Sequence, residues 1–172
     1  MLMKVFPHGT GEGDKPSRYL VRPDYPGRDT APPQVLRGDP AMTRALIDSI
    51  ERRWKFTSGA LSWHPDEKIS EAQEEEVMDA FERVAFAGLE ADQRNILWVR
   101  HTHAGHHELH FLIPRLELSS GKDFNACPPG WQKDFDVFRD LFKARMARWG
   151  REIRESDRDR AKRLSMLSSR KK

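Results

Sequence analysis

Residues 95–114, NILWVRHTHAGHHELHFLIP, decide the fold. Apolar and polar residues alternate on both sides of a histidine-rich middle, the period-two pattern of two strands joined by a turn. With Ala104 and Gly105 at the centre of a tight turn, His103 pairs with His106, Thr102 with His107 and His101 with Glu108. Ile96, Trp98, Leu109, Phe111 and Ile113 then share one face, an apolar surface for helices to cover, while His101, Glu108 and His110 share the other. Across such a pair the Cβ atoms of His101 and Glu108 lie about 5 Å apart, with His110 on the diagonal at about 7–8 Å. Two imidazoles and a carboxylate at that spacing make a tripod for one divalent cation, with its remaining positions open to water or a phosphate oxygen. The same residues are also compatible with a plain cross-strand ion pair, and a one-residue slip would scatter them. His103, His106 and His107 read as turn.

The flanking sequence supplies the other elements. MLMKVFP (1–7) reads as an opening strand, followed by a glycine-rich loop and a helix with Pro16 in its first turn, through SRYLVR (17–22). RPDYPGRDTAPPQ (22–34) reads as an exposed, mobile connector. Asp39-Pro40 starts a helix that is expected to run to Trp54, and KFTSGALSWH (55–64) a strand in which Ser58-Gly59 marks a bulge or a close backbone approach. Ser70 caps a third helix, with Val77, Phe81, Val84 and Ala85 as its apolar stripe and Gly88 as its stop. A long amphipathic helix is expected over 128–150. Strands and helices in this order suggest an α+β fold of two layers, a central antiparallel sheet with helices mainly on one face.

Composition narrows the function classes. At 172 residues, 37% hydrophobic and 33% charged, the chain fits one domain with a real core. No run approaches the roughly 18 apolar residues of a membrane span, and Met1 opens no signal peptide. The one cysteine, Cys127, excludes an internal disulfide framework and points to a reducing, cytoplasmic setting. Residues 151–172 carry nine basic and four acidic side chains, so this tail, helical or frayed, holds the basic excess that nucleic-acid-binding arms often carry. A solvated, partly frayed helix has the same composition.

The segment ILWVRHTHAGHHELHFLIPRLELSSGKDFN (96–125) resembles the relaxases of mobilisable plasmids, the MOBP group, and within it the colicin-plasmid branch. That branch has His, then Glu seven residues on, then Asn two further; here the pattern is His101, Glu108 and His110. KVFPHGTGEGDKPSRYLVR (4–22), VLRGDP (35–40), KFTSGALSW (55–63), VMDAFERVAFAGLEADQRNILWV (77–99) and PPGWQKDFDVFRD (128–140) are similar to that family's nuclease domain in the same order. The resemblance covers roughly the first 145 residues and implies a nuclease domain over 1–150 with the basic tail beyond it.

It further implies a metal-dependent enzyme of plasmid mobilisation and conjugation that nicks one strand at a transfer origin. A tyrosine attacks the scissile phosphate and is left joined to the 5′ phosphate. The family tyrosine stands in a YL context soon after the glycine-rich loop, the position of Tyr19; the other tyrosine, Tyr25, lies in the connector. A helix-borne nucleophile holds its attack geometry better than a loop-borne one. His101, Glu108 and His110 would hold Mn²⁺ or Mg²⁺, the third histidine favouring transition metals over relatives with Asn. His8 is a candidate participant in proton transfer. Arg18, Arg22, Arg28, Arg37, Lys55 and the tail are candidate backbone contacts to single-stranded origin DNA, and Trp63 and Trp131 candidate stacking platforms. Accessory mobilisation proteins are candidate partners. The competing readings are a non-catalytic DNA-docking module of the same fold, and a nickase of replication initiation or transposition.

Overall fold

In the computed structural model, which describes residues 1–136, 138 and 140, the elements follow local signals closely. Strand β1 spans Leu2–Val5, helix α1 Asp14–Val21, β2 Gln34–Arg37, α2 Pro40–Asp48, β3 Phe56–Ser62, α3 Glu71–Ala85, β4 Leu97–His101 and β5 Glu108–Pro114. Asp39 caps α2 by accepting from the Met42 N–H at 2.6 Å, with Pro40 at the first helical position. Ser70 and Gln73 form a capping box at α3, whose first turn carries Glu71 and Glu74. Helix α2 stops at Asp48 rather than running to Trp54. There the Ser49 hydroxyl bonds the Leu46 carbonyl in competition with helix continuation, while the Asp48 carboxylate ties the helix end to α1 by accepting from the Gly13 N–H.

The five strands form one antiparallel sheet in the order β1-β3-β5-β4-β2, with β5 central. The short edge strand β2, hidden in sequence behind Pro32-Pro33, pairs with β4 through Gln34↔Arg100 and Val35↔Val99. Gly59 stands where a strand crosses tightly packed neighbours. A Cβ there would press into the Lys4 carbonyl oxygen of β1 and the Phe111 ring of β5, the close approach expected at Ser58-Gly59; pairing on both sides runs through without a bulge.

The core lies mainly on the predicted apolar face. Trp98, Leu109, Phe111 and Ile113 pack there against Val77, Met78, Phe81 and Ala85 of α3 and against Phe135 and Phe138 near the end of the described chain. Helices also cover part of the second face: Leu20 of α1 and Ile47 of α2 bury Leu97, Val99 and Leu112. The sheet is therefore flanked by helix on both sides, with α1 and α2 covering the Leu97, Val99 and Leu112 end of the histidine face. Residues 151–172, and the boundary placed at 150, lie outside the described residues. Among the described residues no helix is long and apolar enough to cross a membrane.

Candidate metal centre

The hairpin keeps the register that the tripod needs. His101 pairs with Glu108 and Val99 with His110, so the two histidines and the glutamate project from one face. The turn itself is wider than two residues. Thr102–Gly105 forms a hydrogen-bonded turn (Gly105 N–H to Thr102 O, 3.1 Å), and Gly105 takes φ +78°, the left-handed region that favours glycine. Each of His101, Glu108 and His110 offers a ligand atom, all within 4.8 Å of one another. Small side-chain rotations would bring such a set to the roughly 2 Å contacts a divalent ion requires.

The donor chemistry fits. Oε2 of Glu108 stands 3.1 Å from Nε2 of His110, while Oε1 accepts from the Ser62 hydroxyl at 3.1 Å and lies 3.0 Å from His106 Nε2. The His110 bond, working against burial and joined by His106 and Ser62, holds the Glu108 carboxyl down at about 2, so it is anionic at neutral pH. His101 is 1% exposed, and burial pushes its imidazole down to about 4. It is neutral, as a ligand must be. Its Nε2–H donates to the Leu20 carbonyl at 2.7 Å, which leaves Nδ1 with the lone pair; this is how ligating histidines are usually oriented.

Tyr19 extends from α1 beside this cluster, its ring centroid 6.3 Å from that of His101, and it is 42% exposed. Tyr25 packs edge-on to Tyr19 at 5.7 Å and to His103 at 5.7 Å, one step further out. The connector that carries Tyr25 is mostly exposed, as its composition suggests, but it is tied to the hairpin at two points. Arg28 within it is buried, and Gly27 (φ +82°) passes so close to the hairpin that a Cβ would lie 3.2 Å from the His103 carbonyl oxygen. Two open hollows flank the hairpin. One of about 570 Å³ is lined by Leu2, Ser62, Trp63, His64 and His106, the other, about 410 Å³, by Thr30, Pro32, Gln34, Arg100 and Thr102.

Residues 41–147 match the relaxase family described as MobA/VirD2-like, nuclease domain. The chain belongs to this family. Over 122 residues the relaxase domain is 44% identical to cryptic plasmid protein C of Neisseria gonorrhoeae, covering 71% of this chain and 58% of that protein. It is 40% identical over 122 residues to the DNA relaxase MbeA of Escherichia coli, again 71% of this chain but 23% of that protein. The chain thus spans somewhat over half of one relative and about a quarter of the other.

Other residues singled out from the sequence fall in varied places around the relaxase fold. Arg18 and Arg22 lie on and just after α1 near the tyrosines, paired with Asp14 at 2.9 Å and Asp24 at 3.3 Å. Lys55 precedes β3, roughly 16 Å along the strand from the Ala60 that pairs with His110. His8, bonded through Nδ1 to the Thr57 hydroxyl at 3.2 Å, is at that same far end of the sheet, away from the tripod. Trp63 is 3% exposed and packs edge-on to His107, so a base cannot reach its ring. Trp131 packs on the Phe135 ring on the opposite face from the tripod. Arg37 is clamped by Glu75, Asp79 and Glu82 of α3.

Two residues gain importance only here. Arg28, read from sequence as one more backbone contact, reaches the site itself. Glu74 of α3 binds Arg100 Nη1 at 2.8 Å and His107 Nε2 at 2.7 Å, pinning the hairpin from the side opposite the tripod. A helix-borne glutamate in an acidic run carries no mark that separates it from its solvated neighbours.

Proposed function

We propose that this domain is a metal-dependent single-strand DNA endonuclease and transesterase that nicks plasmid transfer-origin DNA through Tyr19. The observation that carries the reading is the side-by-side placement of a part-exposed Tyr19 and the His101–Glu108–His110 cluster on one sheet face. Its relaxase family and the name of its Escherichia coli relative support the same direction.

The residues divide the work as follows. His101, Glu108 and His110 would hold one divalent ion, which when bound would supply Lewis-acid stabilisation of the negative charge developing on the scissile phosphate. Ser62 and His106 orient Glu108 through hydrogen bonds to Oε1. The Tyr19 oxygen attacks phosphorus, the bond to the 3′ oxygen breaks, and the protein is left esterified to the 5′ phosphate. The phenol loses a proton and the departing 3′ oxygen gains one. The phosphodiester bond energy is kept in the tyrosyl ester, so the reverse step reseals the strand. Arg18 and Arg22 flank the tyrosine as backbone contacts, and the hollows beside the hairpin give room for neighbouring nucleotides. Mn²⁺ suits two imidazoles and a carboxylate better than Mg²⁺ does. Accessory mobilisation proteins and a cytoplasmic site of action belong to the same reading.

The test is incubation with Mn²⁺ and single-stranded oligonucleotides tiling the noncoding DNA around the gene, read on denaturing gels. Wild type is expected to form a metal-dependent covalent adduct that Tyr19→Phe loses and Tyr25→Phe keeps. An adduct surviving in Tyr19→Phe would move the role to Tyr25. Tight binding without any adduct would make the domain a docking module.

A further inference from the structure

Arg28 is the residue that ties the tyrosines to the metal centre. It reaches in from the connector between α1 and β2 and is 1% exposed. Nη1 donates to the Tyr19 carbonyl at 2.6 Å and the Arg22 carbonyl at 3.0 Å, groups at the C-terminal end of α1 that no helical N–H reaches. Nη2 donates to Nδ1 of His101 at 3.3 Å. The rings of Tyr19 and Tyr25 lie 5.0 Å and 4.7 Å from the guanidinium carbon. Its charge is therefore met by helix-end carbonyls and two π faces, and it stands at the place where a cation is wanted.

The conflict is over one lone pair. His101 Nε2 is committed as a donor to Leu20, so Nδ1 is the nitrogen that can ligate, and Nδ1 is also what Arg28 holds. A lone pair serves one partner at a time, and a divalent ion beside a guanidinium adds like-charge repulsion. Building on the metal-centre reading above, we propose that Arg28 gates metal loading. Its guanidinium and the divalent cation compete for Nδ1 of His101, and the ion seats only as Arg28 Nη2 lets go while Nη1 keeps its anchor on α1. Arg28 is in this sense a positioning residue that acts on the ion through His101.

Mn²⁺ titration calorimetry on the full chain tests this with wild type, Arg28→Met, Arg28→Lys and Glu108→Gln. Removing the competitor is expected to tighten Mn²⁺ binding in Arg28→Met by about tenfold or more, the scale of one charged hydrogen bond. Arg28→Lys, which keeps charge but loses the fork, falls between. An arginine that merely braces α1 predicts the opposite sign, weaker binding on removal. Equal or weaker binding by folded Arg28→Met, with Glu108→Gln abolishing binding, overturns the gate and leaves the metal centre standing. No Mn²⁺ binding by any of them, or binding indifferent to Glu108→Gln, removes the metal centre and the gate together. Should Arg28→Met fail to fold, ¹⁵N spectra of wild type titrated with diamagnetic Zn²⁺ decide. The Arg28 guanidinium signals must move in step with the His101 imidazole; signals that stay fixed while His101 shifts overturn the proposal.

Discussion

Glu74 offers the sharpest quantitative test of how the hairpin is held. Its carboxylate is 2% exposed and meets Arg100 Nη1 through both oxygens, at 3.0 Å and 2.8 Å, and His107 Nε2 at 2.7 Å. Arg100 and His107 directly adjoin His101 and Glu108 in sequence and point to the opposite face, so α3 grips the hairpin from beneath the tripod. Glu74→Ala removes one partner of a buried pair and leaves charge without compensation, a loss of about 3–5 kcal/mol. For a chain of this size that lowers Tm by roughly 6–20 °C. Glu74→Gln keeps shape and one hydrogen bond and is expected to cost less. Urea and thermal melts measure both, and a double-mutant cycle with Arg100→Ala should return a coupling of about 1–3 kcal/mol. The pH dependence follows from the same contacts. Burial raises the Glu74 pKa, but the contacts with His107 and Arg100 outweigh it and bring it below the ordinary glutamate value. A folded-state pKa below the unfolded one means that the contribution is complete above about pH 4.5 and is lost as pH falls through the folded value. Glu74→Gln should therefore flatten the acid limb of the stability curve. A Glu74→Ala variant melting within about 3 °C of wild type would refute the buried-clamp argument.

Three further outcomes follow from particular contacts. Gly59→Val drives a branched side chain into the Lys4 carbonyl and the Phe111 ring; it should cost about 2–3 kcal/mol or more by chemical denaturation, with a near-neutral result showing that the β1-β3-β5 spacing is looser than described. The Cys127 thiol, 2% exposed and pushed up to about 12 by burial, should react with a disulfide reagent at the rate of unfolding and not at the rate of a free thiol. His110→Asn, which restores the third residue of the colicin-plasmid branch, should weaken Mn²⁺ binding roughly tenfold relative to its effect on Mg²⁺; equal affinities in the two proteins would end the argument that imidazole sets the metal preference.

Much of the molecule was legible in the residues because its signals are local. Strand alternation around residues 96–113 assigned the two faces and the 101–108 pairing, since side-chain direction in a strand has period two and one slipped register would turn the tripod histidines toward α3 and Trp98 toward the tripod face. The cap at Asp39 and the capping box at Ser70 placed two helix starts because a side-chain oxygen serves its own neighbours. The His101–Glu108–His110 grouping followed from those same two rules.

What lay between distant segments was decided by tertiary structure. No local pattern tells that α1 and α2 close over Leu97, Val99 and Leu112, or that β2 forms an edge strand after two prolines. Trp63 was a candidate platform by residue type and is a core side chain by packing. Arg28 had the composition of a loop around it, yet the connector folds back and buries its guanidinium against α1, both tyrosines and His101. Periodicity and capping are written in neighbours a few residues apart, so sequence alone determines them. Which buried charge meets which lone pair across 73 residues depends on how the layers come together, and only the folded chain decides that.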